Sequence, residues 1–176
     1  MICKFKNLSI FLFVIMLVVK LSGCFYSFTG ASVPSHLKTI AIPVFEDKSG
    51  SGEAGLRENF TNDLIQKFTD DNTLQVAPRT SADAVLDCTI TSLSETYNSV
   101  TTDANNREAG SSKRVTITVR VIYKDLVQRK TISDKKYSEF ANYDLTGNIV
   151  TNRQEAITTA IDRITDDILL GTVSNW

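Results

Sequence analysis

The sequence predicts an α+β domain, with two amphipathic helices packed on one face of a four- to five-stranded mixed β-sheet. Three observations carry this expectation. Residues 114–124 alternate apolar and polar side chains, the period of a half-buried strand. Residues 53–70 and 151–170 instead place apolar side chains every three to four positions, the period of a helix with one buried face. The elements run strand, helix, strands, hairpin, helix. In that order a right-handed crossover makes the strands flanking the first helix parallel, and both helices cover one face.

The chain opens with Lys4 and Lys6 and no acid, then runs apolar over 10–19 until Lys20 interrupts it. A bilayer-crossing helix needs about 20 apolar residues, and this run has about half of that, as a secretory signal does. An uncleaved anchor helix through Leu21 is the alternative, and Lys20 argues against it. Leu21-Ser22-Gly23-Cys24 follows, and it resembles the lipobox of bacterial lipoproteins. That resemblance implies a signal peptide over 1–23, cleavage after Gly23, and Cys24 as the lipid anchor. The Cys24 thiol would carry a diacylglycerol and its freed amino group a fatty acid. Each buried CH₂ contributes about 0.8 kcal/mol and one chain anchors only marginally, so three chains imply stable attachment. Phe25, where an Asp would suggest inner-membrane retention, tilts the resemblance towards the outer membrane, on its periplasmic side.

Residues 24–176 have the length of a single domain. They hold 16 basic and 20 acidic residues, a net −4, which is not the balance of a nucleic-acid binder. With Cys3 lost and Cys24 lipidated, Cys88 is alone and forms no intramolecular disulfide. The single histidine, His36, lies in a loop-like stretch with no second ligand for zinc and no nucleophile elbow nearby. Gly50, Gly52 and Gly55 lack the spacing and the Lys-Ser/Thr of a phosphate loop and read as a turn into a helix. The expectation is a protein with no cofactor, no metal and no enzymatic activity.

In order, 39–45 reads as a strand with Ile40, Ile42 and Val44 on one face, and with Pro43 marking an edge or a bulge. Residues 53–70 form a helix whose buried stripe is Leu56, Phe60, Leu64 and Phe68. A short strand at 74–78 precedes a better one at 82–93. There Ala84, Leu86, Cys88 and Ile90 share the core face, while Asp83 and Asp87 form an outward pair that reads as solvated rather than catalytic. The polar stretch 98–112 reads as a long flexible loop. Residues 114–124 and 129–140 form a hairpin through a turn at 125–128. The last helix, 151–170, starts at T151-N-R-Q154, which matches a capping box, and buries Ile157, Ile161, Ile164 and Ile168.

Three features stand together: the lipobox running into C24-F-Y-S-F-T-G30; K38-T-I-A-I-P-V-F-E46 leading to L56-R-E-N-F-T-N-D-L64; and A82-D-A-V-L-D87 opening a strand. In order and spacing they resemble the lipopolysaccharide-assembly lipoprotein (LptE) family. The resemblance implies an outer-membrane lipoprotein that plugs an LptD-type β-barrel, assists its assembly, binds lipopolysaccharide and catalyses nothing. Residues 113–136 carry eight basic and two acidic side chains, a local +6 on an acidic chain. Lys113, Arg114, Arg120 and Lys124 are therefore candidate contacts for lipopolysaccharide phosphates, with Arg suited to a bidentate fork. The bland alternative is a solvated strand that uses cations to discourage edge pairing. Two rival functions remain. One is a lipoprotein of a curli-type secretion apparatus, which would have to lend a hairpin to a membrane pore. The other is a lipid-anchored hydrolase working with carboxylates alone.

Overall fold

The computed structural model describes residues 33–102 and 108–174. Cys24 and the expected signal peptide lie outside the described residues. The elements are β1 (Thr39–Ala41), β2 (Glu46–Asp47), α1 (Leu56–Asp71), β3 (Gln75–Val76), β4 (Ala84–Thr102), β5 (Glu108–Asp125), β6 (Lys130–Asp144) and α2 (Ile149–Val173). The sheet order is β3-β1-β4-β5-β6, with β2 pairing β4 beyond the end of β1. The expected α+β class stands, with six strands rather than four or five. The extra strand arises at Pro43, which has no N–H to give to a ladder. The predicted 39–45 strand stops at Ala41 as β1, paired with Ala84 and Val85, and the chain returns to the sheet past the predicted end as β2, paired with Thr89 and Ile90. The strands flanking α1 are parallel, as the crossover rule requires.

Helix α1 begins at Gly55, whose φ of 74° is open to a residue without Cβ, and ends at Asn72, also left-handed, whose N–H bonds the Phe68 carbonyl. Helix α2 starts earlier than its sequence suggests. Asn148, not Thr151, is the cap: its side chain accepts from the Thr151 N–H at 3.3 Å, and the expected box at 151–154 lies inside the helix. Both helices pack on one face of the sheet. Phe60, Leu64 and Phe68 from α1 and Ile157, Ile164 and Ile168 from α2 meet Leu86, Ile90, Ile117 and Val119, all buried in one cluster. Cys88 is in that cluster, as its strand parity implied.

The largest departure from expectation is at 98–112. The described residues of this stretch, 98–102 and 108–112, are strand. β4 continues to Thr102 and β5 starts at Glu108, paired through Ser99↔Ser112, Val100↔Gly110 and Thr102↔Glu108. The last β5–β6 pair is Ser112↔Asp144, so this ribbon runs beyond the three-stranded part of the sheet. A two-stranded ribbon has no buried face to impose apolar alternation, and backbone ladder bonds need none.

A bulge lies at the middle of β4, between Ile90 and Ser92. One extra residue reverses which side chains face the helices. Glu95 therefore turns inward, where it accepts from Tyr143 Oη (2.6 Å) and Arg153 Nε (2.8 Å), while Arg153 also pairs with Glu53 at 2.8 Å. The cluster ties β4, β6, α2 and the loop before α1 together. Burial opposes ionisation of Glu95. The bonds from Tyr143 and Arg153 outweigh it and hold the carboxyl below its ordinary 4.5. Tyr143 is pushed up to about 12 by burial and by Glu95.

Because the folded value of Glu95 is depressed, its contribution is complete above about pH 4.5 and is lost as the pH falls through the folded value. We expect Glu95→Gln to cost about 1.5–3 kcal/mol at pH 7 and to flatten the loss of stability below pH 4.5, read from urea midpoints across pH. A second test concerns Gly171 on α2. A Cβ there would run into the Tyr137 hydroxyl and stand 3.2 Å from the ring carbon that bears it. Gly171→Ala should cost about 1–3 kcal/mol in the same assay, and adding Tyr137→Phe should recover part of the loss.

Candidate functional site

In β5 the odd residues from Val115 to Tyr123 are buried towards the helices, so Arg114, Thr116, Thr118, Arg120, Ile122 and Lys124 point to the other face. Register brings Asp87 and Thr89 of β4 to that face, with Asp134, Lys136, Ser138 and Phe140 of β6. Among the described residues no helix packs there. The result is an open sheet face rich in hydroxyls and cations.

The cations are held in fixed positions. Arg120 forks onto Asp134, with Nε at 2.8 Å from Oδ1 and a terminal nitrogen at 2.5 Å from Oδ2. Lys136 stands directly across from Arg120 in the ladder and, among the described residues, makes no ion pair. Lys124 Nζ bonds Asp87 Oδ2 at 2.8 Å, and Arg79 reaches the other oxygen at 3.0 Å. Arg114 donates to Asn142 (3.0 Å) and Asn98 (2.8 Å), with its guanidinium 4.0 Å from the Phe140 ring centre. The bond from Arg120 and its charge lower the Asp134 carboxyl. At Asp87 burial acts upward, but the bond from Lys124 and the charges of Arg79 and Lys124 prevail and lower it.

Of the four candidates read from sequence, Arg114, Arg120 and Lys124 share this face. Lys113 does not. It lies on the helix side, its Nζ 5.2 Å from the Tyr97 ring centre. Lys136 and Arg79 are on the face or at its margin and were not among the candidates. The β5–β6 register shifts at Tyr123/Lys124, and that irregularity decides that Lys136 rather than Lys135 opposes Arg120. A perfect ladder counted from the Asp125↔Lys130 pair would have chosen Lys135.

The remaining chemistry-bearing residues have structural tasks. His36 Nε2 lies 2.6 Å from Asp125 Oδ2, which is almost wholly buried, and Oδ1 of the same carboxylate accepts from the Gln128 N–H. Asp83 does not act with Asp87. It accepts from the Lys38 and Thr39 N–H groups and the Thr39 hydroxyl, fixing the start of β1 against β4. Burial pushes the Cys88 thiol up. Among the described residues no helix is long and apolar enough to cross a membrane.

The family model for lipopolysaccharide assembly, LptE, matches residues 37–170, three-quarters of the chain. The chain belongs to the LptE family. The match spans β1 to α2 and so contains the whole sheet face and the helix layer behind it. Membership gives the chain a role in lipopolysaccharide assembly, in a family whose members are non-enzymatic. Solved structures share the fold. A hypothetical protein from Chlamydia trachomatis has a TM-score of 0.59 at 11% identity, over 80% of this chain and 99% of that one. A Xanthomonas campestris protein has 0.57 at 10%, over 82% and 91%. A minor lipoprotein from Acinetobacter baumannii has 0.53 at 13%, over 79% and 94%. No curated protein matches the sequence. At these identities the likeness is one of fold.

Two like charges facing each other across a ladder repel, and Asp134, opposite Ile122 on the same face, offsets this by pairing with Arg120 beside Lys136. Asp134→Asn should lower the urea midpoint slightly, and the deficit should shrink with added salt, because the pair is exposed and screened.

Proposed function

We propose that this LptE-family chain is a lipoprotein of the outer membrane, fixed on the periplasmic side through Cys24. There it assists an LptD-type β-barrel, as a plug, and presents its open sheet face to lipopolysaccharide phosphates. The observation that carries the glycolipid part is the grouping of Arg114, Arg120, Lys124 and Lys136 on one uncovered face. The lipobox at 21–24, ending in Cys24, supports the anchor.

The proposed chemistry is ion exchange on a rigid surface. In the free protein Asp134 and Asp87 occupy the guanidinium and ammonium donors. A phosphate oxygen pair fits the same Arg120 fork that the carboxylate fills, and it carries more charge. Lys136, unpaired beside it, adds a second donor without rearrangement. Thr118 and Ser138, whose hydroxyls are 3.0 Å apart on the same face, can donate to sugar or phosphate oxygens. The side chains that bind are set by β5 and β6, so the face is preorganised and little ordering entropy is lost on binding.

The curli-type pore alternative has nothing in its favour here. Strands of the required length are β4, β5 and β6, and either hairpin they make contains β5. Val115, Ile117, Val119, Val121 and Tyr123 are core residues, and moving them to lipid would dismantle the helix–sheet contact. The other face carries Arg120 and Lys136, and a cation at the bilayer midplane costs about 2–4 kcal/mol.

Two outcomes test the proposal. The detergent-extracted full chain with Arg114→Glu and Arg120→Glu should bind immobilised lipopolysaccharide at least about tenfold more weakly while keeping its far-ultraviolet spectrum. Unchanged binding by the folded variant removes this face from the proposal. Intact-mass measurement should find a chain beginning at Cys24 with a diglyceride and a fatty acyl group, and Cys24→Ser should lack them and retain residues 1–23. A native chain beginning at Met1 and free of lipid defeats the anchor.

A further inference from the structure

We propose that the β5–β6 turn, Asp125 to Lys130, docks on an anionic phospholipid surface, with Val127 entering the interface and Arg129 and Lys130 meeting headgroup phosphates. The inference rests on the lipid anchor at Cys24 and is independent of what the open sheet face binds.

The tether decides which end of the fold stays near a bilayer. Twelve residues separate Cys24 from His36, at most about 43 Å of extended chain. His36 Nε2 lies 2.6 Å from Asp125 Oδ2, at the root of the turn. The Leu126 N–H bonds the Asp83 carbonyl at 2.8 Å, and the Asp83 carboxylate accepts from the Lys38 and Thr39 N–H groups. The turn and the place where the tether joins the fold are thus one hydrogen-bonded unit. The turn stays about that close to the membrane in every orientation. Tyr97, whose ladder partner Lys113 is about 40 Å away along β5, is not so constrained. A surface within tether reach acts at an effective concentration in the millimolar range, so even a weak patch engages it.

The chemistry of the turn fits that surface. Val127 is 59% exposed, and Leu126 beside it is half-buried. Arg129 and Lys130 are exposed and, among the described residues, make no ion pair. A cleft of about 330 Å³ opens between them, lined also by Lys124, Asp125, Leu126 and Thr131. The acid in that lining is turned inward: Asp125 is 4% exposed and accepts from His36 and from the Gln128 N–H. What the cleft presents outward is cationic. An apolar tip with a basic collar is the combination that seats a protein in a headgroup layer, and each Lys or Arg near an anionic leaflet strengthens partition about fivefold.

The alternatives fit less well. Val127 and half of Leu126 offer little apolar area against the roughly 800 Å² per partner of a stable protein interface, whereas a bilayer needs only the tip and its charges. A second copy meeting turn to turn would set Arg129 and Lys130 against themselves. Asp70 and Asp71 close α1 at this end of the fold, but they precede β3, which lies three strands from β5.

The test uses the lipidated full chain in vesicles of phosphatidylcholine, with and without phosphatidylglycerol. Cys24 carries lipid and Cys88 is buried, so Val127→Cys supplies the reactive thiol for an environment-sensitive dye. Brominated acyl chains should quench that dye at least about fivefold more strongly when phosphatidylglycerol is present. Arg129→Glu with Lys130→Glu, at exposed turn positions, should cut the quenching at least about tenfold and leave the far-ultraviolet spectrum unchanged. The same dye on Tyr97→Cys, at the other end of β5, should stay in water. A Val127 label that remains in water on both vesicles overturns the proposal, as does equal quenching at position 97 or quenching that the double variant leaves intact. A label shielded only by a copurifying protein overturns it too, by giving the turn to that partner. Intact mass separates the two readings: a lipidated chain with an unquenched label defeats the docking alone, and a chain without lipid defeats the anchor and the docking together.

Discussion

The antiparallel ladder between β4 and β5 is the constraint on which the rest depends. The other strands build outward from these two: β1 and β2 lie parallel on the free side of β4, β3 is added beyond β1, and β6 lies antiparallel on the free side of β5. Since side chains alternate along a strand, the register of this one hairpin decides which residues meet the helices and which are left uncovered. A slip of one residue would bury Arg120 and expose Val119. The slip is opposed by the aliphatic run 115–121, which finds α1 and α2 only in the observed register. The bulge after Ile90 is the one place where β4 changes parity within the core. Thr91 bonds the Thr118 carbonyl there at 3.1 Å, which satisfies a group the interrupted ladder exposes.

Much of this was legible because burial leaves a period. The stripes of α1 and α2 and the alternation of β5 each report a face pressed against a core, and they were read within a few residues of their ends. What failed had no such signature. The ribbon beyond Ser99↔Ser112 runs past the end of β6, and the pairing of Val100 with Gly110 and of Thr102 with Glu108 is made by backbone bonds, which any residue makes. Asn148 caps α2 from a loop that carries no pattern of its own, and Thr151-Asn152-Arg153-Gln154 offered a stronger motif at the wrong place. Register errors propagate to sites. Arg114, Arg120 and Lys124 could be put on one face from β5 alone, but Lys136 needed the pairing of two strands across an irregular turn. Lys113 was grouped with them by sequence proximity, and parity separates it from them.

The two layers differ in charge as well as in shape. Each helix carries two basic and four acidic residues, so the helix layer is net −4. The open sheet face has Arg114, Arg120, Lys124 and Lys136 against Asp87 and Asp134. Some of the helix charge is spent internally. Lys67 sits between Asp162 (2.8 Å) and Asp166 (2.5 Å), and Thr165 donates to Asp63, which staples α1 to α2. What remains is a field that turns the sheet face towards anions, with a range limited to roughly 8 Å at physiological salt. An approaching polyanion would thus be oriented only at close range, after a tether or a partner has brought the two together.

The internal carboxylates set the character of that encounter. Had the cations been bare, any anion would add to them, including the chloride and phosphate of the medium. Here a ligand must displace Asp134 from Arg120 or Asp87 from Lys124, and exchanging one carboxylate for one monoanion gains little. The balance shifts only for a ligand that brings several negative charges on one framework. Its second contact is then intramolecular and at high effective concentration. Arg120 and Lys124 are four residues apart on one strand, with backbone positions about 14 Å apart, so contact with both favours a ligand that carries separated charges. A headgroup bearing more than one phosphate meets the condition, and a free phosphate ion does not. In the proposed role, selectivity for a polyphosphorylated glycolipid over the salts around it would rest on the acids of the face as much as on its bases.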